Sequence, residues 1–101
     1  MVDDNLCFLD AVELARLIRV GEVSAWEVMH AHLAQIERDN PDVNSVVTLV
    51  ADRASAWARE DDDRRAHRAA LGPLHGIPVA HKDLVPTKGI RTTMGSLVFK
   101  D

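Results

Sequence analysis

Tyrosine is absent from this 101-residue chain, and the only other aromatic residues are two Trp and two Phe. Hydrophobic residues make up 47% of the sequence, which excludes a disordered chain. Thirteen of them are alanine, so the supply of bulky core-forming side chains is thin. A single cysteine, Cys7, excludes an internal disulfide framework and fits a reducing compartment. Basic residues are also short: 12 Lys and Arg stand against 16 Asp and Glu, for a net charge of −4. A phosphate backbone needs a basic face, so a nucleic-acid partner held by bulk charge is excluded. No apolar run approaches the roughly eighteen residues that would cross a bilayer, and no membrane role is expected. The N-terminus reads Met-Val-Asp-Asp-Asn, acidic where a secretory signal is basic, so a cytoplasmic location is expected. The length allows one small domain with little stability to spare.

Proline and glycine are scarce until residue 72, and the first two thirds of the chain read as helices. Asp10 can cap a helix over about 11–20, with Gly21 placed to end it. Ser24-Ala25-Trp26-Glu27 is a capping box, because the Ser oxygen takes a free backbone N–H while Glu27 reaches back. Trp26, Met29, Leu33 and Ile36 then recur at helical spacing and predict one apolar face. Asn40-Pro41 is expected to stop this helix near residue 39, since proline has no N–H to donate. Val43 to Val50 is rich in β-branched residues and reads as a short strand near 44–49, or as a loop entering the next helix. A third, Ala- and Arg-rich helix is expected over about 51–70. Its charged stretch, Arg59 to Arg68, reads as a solvated face or a helix end, with local ion pairs.

The texture changes at Gly72. Four of five glycines and three of four prolines fall between Gly72 and Ser96. Within this region only Ile77 to Lys82 reads as a buried strand. Strand alternation would place Ala80 and Lys82 on one face, and Val79 and His81 on the other. Lys82 is the residue that chemistry singles out. A lysine in a poorly solvated site loses its preference for charge, falling from about 10.4, and the neutral amine can act as a general base. The competing reading is a strand-end lysine that extends its stem to reach water.

Other candidates are weaker. His30 and His32 lie two apart on a helix and diverge, while His75 and His81 are separated by the Gly76–Pro78 break. No acidic ligand repeats at metal spacing, so no metal is expected. Cys7 has no activating histidine nearby in sequence and reads as a small core or surface residue rather than a nucleophile. The segment Gly89 to Ser96 fails the phosphate-loop test, because no lysine follows its second glycine.

Two blocks now stand in order: Gly72-Pro73-Leu74-His75-Gly76-Ile77-Pro78 leading to Lys82-Asp83, then Gly89, Thr92-Thr93 and Gly95-Ser96. Together they resemble the N-terminal block of the amidase signature family, whose pattern is G-P-L-x-G-I-P-x-x-x-K-D followed by G-x-x-T-T-x-G-S. Leu14 to Ile18, Gly21 to Ser24 and the helix ending near Asn40-Pro41 are similar to the start of that family as well.

The resemblance implies an α/β fold, with helices packed on a mixed central sheet that this chain holds only in part. It implies hydrolysis of a small-molecule amide through a Ser–cis-Ser–Lys triad, with Lys82 as the triad lysine and no cofactor. The Gly/Ser-rich signature that carries both serines is not found here, and Ser96 corresponds to a loop residue rather than a nucleophile. The expectation is an N-terminal amidase segment that is inactive alone, with the C-terminal part of the amidase domain as its partner. The alternative is a non-catalytic helical interaction module, or a split-chain partner derived from an amidase. On the fragment reading Val79, Leu84 and Val85 should be exposed or covered by a partner, whereas finding them fully packed would favour a self-sufficient module.

Overall fold

The computed structural model describes residues 4–100. Its elements are a 3-10 helix at Asp4–Phe8, helices α1 (Ala11–Val20), α2 (Ala25–Val43) and α3 (Ala51–Ala66), and a second 3-10 helix at Leu97–Phe99. The three long helices begin close to where the sequence places them. Asp10 accepts the N–H of Glu13 at 2.8 Å, and Gly21, at φ 80°, closes α1 by donating to Ile18. The capping box of α2 is complete. Glu27 N–H donates to Ser24 Oγ at 2.9 Å, and Ser24 N–H donates to Glu27 Oε2 at 2.8 Å.

Two helix ends differ from expectation. α2 runs through Pro41 to Val43 and is capped by Asn44 in the left-handed region. A proline in the last turn disturbs few bonds, because little ladder remains beyond it. Asn40 then does a second job: its side chain donates to Val46 O at 3.0 Å and accepts Val46 N–H at 2.9 Å. α3 stops at Ala66 rather than near 70. Arg68 enters the left-handed region at φ 54°, and Ala69 N–H turns back to Arg64 O at 3.0 Å.

The larger difference concerns the sheet. Among the described residues there is no strand, only an isolated antiparallel bridge between Thr87 and Ile90. The segments 44–49 and 77–82 take no regular secondary structure, and they do not pair with each other. A strand is stable only when neighbouring backbone completes its hydrogen bonds, and a two-stranded sheet is marginal by itself. The mixed central sheet is therefore absent from the described residues.

The core is small and entirely helical. Leu6, Leu14, Ile18, Ala25, Val28, Ala31 and Ala58 are buried. On α2 the buried face is Ala25-Val28-Ala31, not the predicted Trp26-Met29-Leu33-Ile36 stripe. The small alanines let α3 and the first 3-10 helix come close, and the bulkier stripe is left half-buried. Cys7 packs against this core and its thiol donates to Ala31 O at 3.3 Å, the core role among the two expected of it. The radius of gyration is 14.7 Å, against about 13 Å for a compact domain of this length. After α3 no described residue is buried as a whole, although the His75 side chain is nearly so.

Candidate active site

The bulky face of α2 has a use. Met29, Leu33 and Ile36 form one wall of a groove of about 440 Å³, with the segments 45–50 and 78–83 forming others. Lys82 lines this groove and is exposed. His81 lines it too. Without a ladder on either side, nothing imposes the strand pleat on 77–82. Among the described residues, 78–81 make no backbone–backbone hydrogen bond, and neither do 47–49.

Gly76 anchors this region to the helical body. Its φ is 77°, and a Cβ there would lie 3.1 Å from Ala25 Cβ and 3.2 Å from Ile18. Only glycine meets both demands, the left-handed backbone and the close approach. The next residue, Ile77, packs against the core cluster. His75 stands beside this anchor, its side chain almost fully buried, with Nε2 donating to Asp61 O at 2.9 Å and Nδ1 3.9 Å from the Asp61 carboxylate. A carbonyl can only accept, so Nε2 carries the proton.

Beyond Lys82 the chain is tied by side-chain bonds to backbone. The Asp83 carboxylate accepts the Thr93 N–H at 2.7 Å and the Thr93 hydroxyl. These two bonds, the hydroxyl first, hold the Asp83 carboxyl below its ordinary range. Thr87 Oγ1 donates to Ile90 O at 3.2 Å, and Arg53 of α3 donates to Gly89 O. Ser96 accepts the N–H of Val98 at 3.2 Å and caps the second 3-10 helix, a structural role. Val79, Leu84 and Val85 are exposed at 63%, 52% and 49%, as a surface built to be covered would be.

Some side chains the sequence did not single out are engaged elsewhere. Asp62, within the charged run read as a solvated face, reaches the start of α2 and accepts Ala25 N–H at 2.7 Å and Trp26 N–H at 3.1 Å. The anion is favoured there because the first N–H groups of a helix lack internal partners. Ser55 Oγ lies 3.2 Å from His30 Nε2, and His30 stacks on Trp26. Ser55 is inside α3, where neighbouring N–H groups serve the helix, so no oxyanion donors flank it. The four-residue spacing of Trp26 and His30 was the available signal for that stack. His32 and His67 each donate through Nδ1 to a carbonyl, Val28 O and Asp63 O. Among the described residues no group of three or more His, Cys, Asp or Glu is placed to hold a metal ion. No described helix is long and apolar enough to cross a membrane.

The block around the groove has counterparts in known proteins. The amidase family profile matches residues 27–101. The chain belongs to the amidase family. Its relatives include the A subunit of the glutamyl-tRNA(Gln) amidotransferase of Salinispora tropica, 43% identical over 96% of this chain and 20% of the relative. The corresponding protein of Methylococcus capsulatus, which carries the same name, is 49% identical over 83% of this chain and 17% of the relative. That of Streptomyces avermitilis is 38% identical over 95% and 19%. The chain thus spans about a fifth of the length of the curated relatives it matches. No solved structure matches it.

Proposed function

We propose that this chain is the N-terminal portion of an amidase-signature hydrolase, and that Lys82 is the general base of its Ser–cis-Ser–Lys triad. The observation that carries the reading is the ordered block Gly72 to Ser96 inside the family match, with its lysine on the rim of an apolar groove. In this reading both serines come from the remainder of the amidase domain. That remainder also supplies backbone to segments 44–49 and 77–82, completing a mixed sheet. The backbone of 47–49 and 78–81, which makes no backbone–backbone hydrogen bond, supports it, as does Thr48, whose buried hydroxyl has no hydrogen-bond partner.

The chemistry follows from the groups. Covering the groove strips water from Lys82 and favours its neutral amine. The amine takes a proton from the bridging serine, which takes one from the nucleophilic serine. The nucleophile adds to the amide carbonyl, the C–N bond breaks with protonation of the leaving amine, and water or another amine resolves the acyl-enzyme. Backbone N–H groups beside the nucleophile would hold the oxyanion. The relatives are named as one component of a glutamyl-tRNA(Gln) amidotransferase, so we assign this chain to amide cleavage within a multi-subunit enzyme. Its net charge of −4 gives no bulk attraction for RNA.

The test is complementation with the downstream part of a matched relative, followed by initial rates on a simple aryl amide. The chain alone should show no hydrolysis. In the complemented enzyme Lys82→Ala should lose about 10²–10⁴-fold in rate. Lys82→Arg should not rescue it, because guanidinium stays protonated. His81→Ala should lose far less. Near-wild-type turnover by Lys82→Arg, or activity of the unassisted chain that depends on Ser96, would overturn the assignment. A non-catalytic helical interaction module is the second reading, favoured by the half-buried Met29, Leu33 and Ile36 on the open face of α2. It is chosen if the complemented complex forms but never hydrolyses.

A further inference from the structure

We propose that Asp83 and Thr93 form a latch that positions Lys82 at the groove. This rests on the reading of Lys82 as a general base, and it adds two residues that hold that base without touching the reacting atoms. Asp83 follows Lys82 directly, so their Cα atoms are held about 3.8 Å apart by one peptide unit. Fixing the Asp83 backbone therefore constrains the backbone from which Lys82 projects. The fixing bonds come chiefly from Thr93, ten positions ahead, through both its N–H and its hydroxyl, with lesser contributions from the Met94 and Gly95 N–H groups. Hydrogen bonds to an ionised acceptor are the stronger kind.

The loop so closed is not slack. Thr87 and Ile90 bridge across its middle, Thr87 Oγ1 donates to Ile90 O at 3.2 Å, and Arg53 ties Gly89 O to α3. Gly76 and Ile77 fix the other flank of the segment to the core. Lys82 is thus held between two anchors, one made of packing and one of the Asp83–Thr93 bonds.

The direction in which the carboxylate is committed matters as much. A carboxylate paired with Lys82 would favour the ammonium and oppose a general base. Among the described residues no ion pair joins Lys82 to Asp83, and the carboxylate faces Thr93 instead. The depressed Asp83 carboxyl is consistent with a latch that stays closed at neutral pH.

Two measurements separate this proposal from the amidase reading. In the 101-residue chain, amide hydrogen exchange at Thr93 and ¹⁵N relaxation at Lys82 are compared for wild type, Asp83→Ala, Thr93→Val, Thr93→Ser and Lys82→Ala, with helical circular dichroism as the folding control. Asp83→Ala should lose about ten- to a hundred-fold of Thr93 protection, the equilibrium worth of hydrogen bonds to a charged group. The Lys82 backbone should become more mobile, Thr93→Val should loosen it partly, and Thr93→Ser should restore it. Lys82→Ala should leave Thr93 protection unchanged. An unchanged Lys82 backbone in Asp83→Ala, at wild-type helicity, overturns the latch whatever the enzyme does. In the complemented enzyme Asp83→Ala should lower kcat about ten-fold with little change in KM, and Thr93→Ser should stay near wild type. Full kcat in Asp83→Ala, beside a dead Lys82→Ala, overturns the positioning role while the amidase reading stands. Full turnover in Lys82→Ala overturns the amidase reading instead, and the role assigned to the latch with it.

Discussion

The helical body and the region that follows it are built on different terms. Among the described residues all seven buried hydrophobic side chains lie between Leu6 and Ala58, and no hydrophobic side chain from 67 to 100 is buried. A helix satisfies its own backbone and needs only one face covered, so three short helices and a 3-10 turn can share a small core. An extended segment satisfies nothing internally and waits for neighbouring backbone. What the later region has instead is a set of point attachments: Gly76 against Ile18 and Ala25, Arg53 to Gly89, and Asp83 to Thr93. The candidate chemistry sits in the second region, and its support sits in the first.

The strongest way to break this contrast is to remove one packing residue from each side. Ile18 is 1% exposed, and Ile18→Ala should cost about 2–5 kcal/mol, a large share of what so small a core supplies. Val79 is 63% exposed, and Val79→Ala should change stability by no more than about 0.5 kcal/mol. Urea titration followed by circular dichroism compares them. Equal losses would mean that the later region has a core of its own.

Gly76→Ala tests the joint between the regions. The added Cβ would lie 3.1 Å from Ala25 Cβ and 3.2 Å from Ile18 atoms, on a left-handed backbone. Crowding and backbone strain together should cost about 2–3 kcal/mol and loosen residues 77–82. Hydrogen exchange at Ile77 reports the joint directly. A variant as stable as wild type would show that the close approach is not required.

Asp62→Ala acts within the body and should cost less, about 1–2 kcal/mol. It leaves the N–H groups of Ala25 and Trp26 without their carboxylate acceptor, and Ala25 is fully buried. The loss should appear as fraying of the first turn of α2, seen as faster amide exchange at Ala25 and Trp26. No change there would mean that water replaces the carboxylate.

Legibility in the sequence follows the same division. Asp10, Gly21, Ser24 and Glu27 act through bonds to residues within a few positions, so local reading finds the starts of α1 and α2 and the end of α1. The ends of α2 and α3 escape it for local reasons, Pro41 lying in a last turn and Arg68 taking a place more often held by glycine. The bulky stripe Met29-Leu33-Ile36 is plain in the sequence, but its neighbour is not, because the buried face of α2 is made of small residues. Asp62 is invisible within its charged run, since its partners lie 36 and 37 residues away. The strand patterns at 44–49 and 77–82 describe a sheet that these residues alone do not build. Lys82 stands out by its place in the block, while Thr93, which bonds the next residue, carries no local sign of that contact.

The smallest expected effect is also the most local. The Asp83 carboxyl is held below its ordinary aspartate value of 3.8, first by the Thr93 hydroxyl and then by the Thr93 N–H. A carboxyl whose pKa is lower folded than unfolded contributes fully above the unfolded value, and that contribution is lost as pH falls through the folded one. The Asp83–Thr93 closure should therefore be intact from neutral pH down to about 4 and open only in more acidic solution. Because Asp83 lies in a region without buried residues, the helical signal should hardly follow this opening. The check is a pH titration of the Asp83 carboxyl ¹³C shift with amide exchange at Thr93. Both should move together at a midpoint below 3.8, and Asp83→Asn should remove the transition at Thr93. A Thr93 transition near pH 6 would point to a histidine instead. A midpoint at or above the ordinary aspartate value would show that the carboxylate is not held by Thr93, leaving this region with its packing anchor alone.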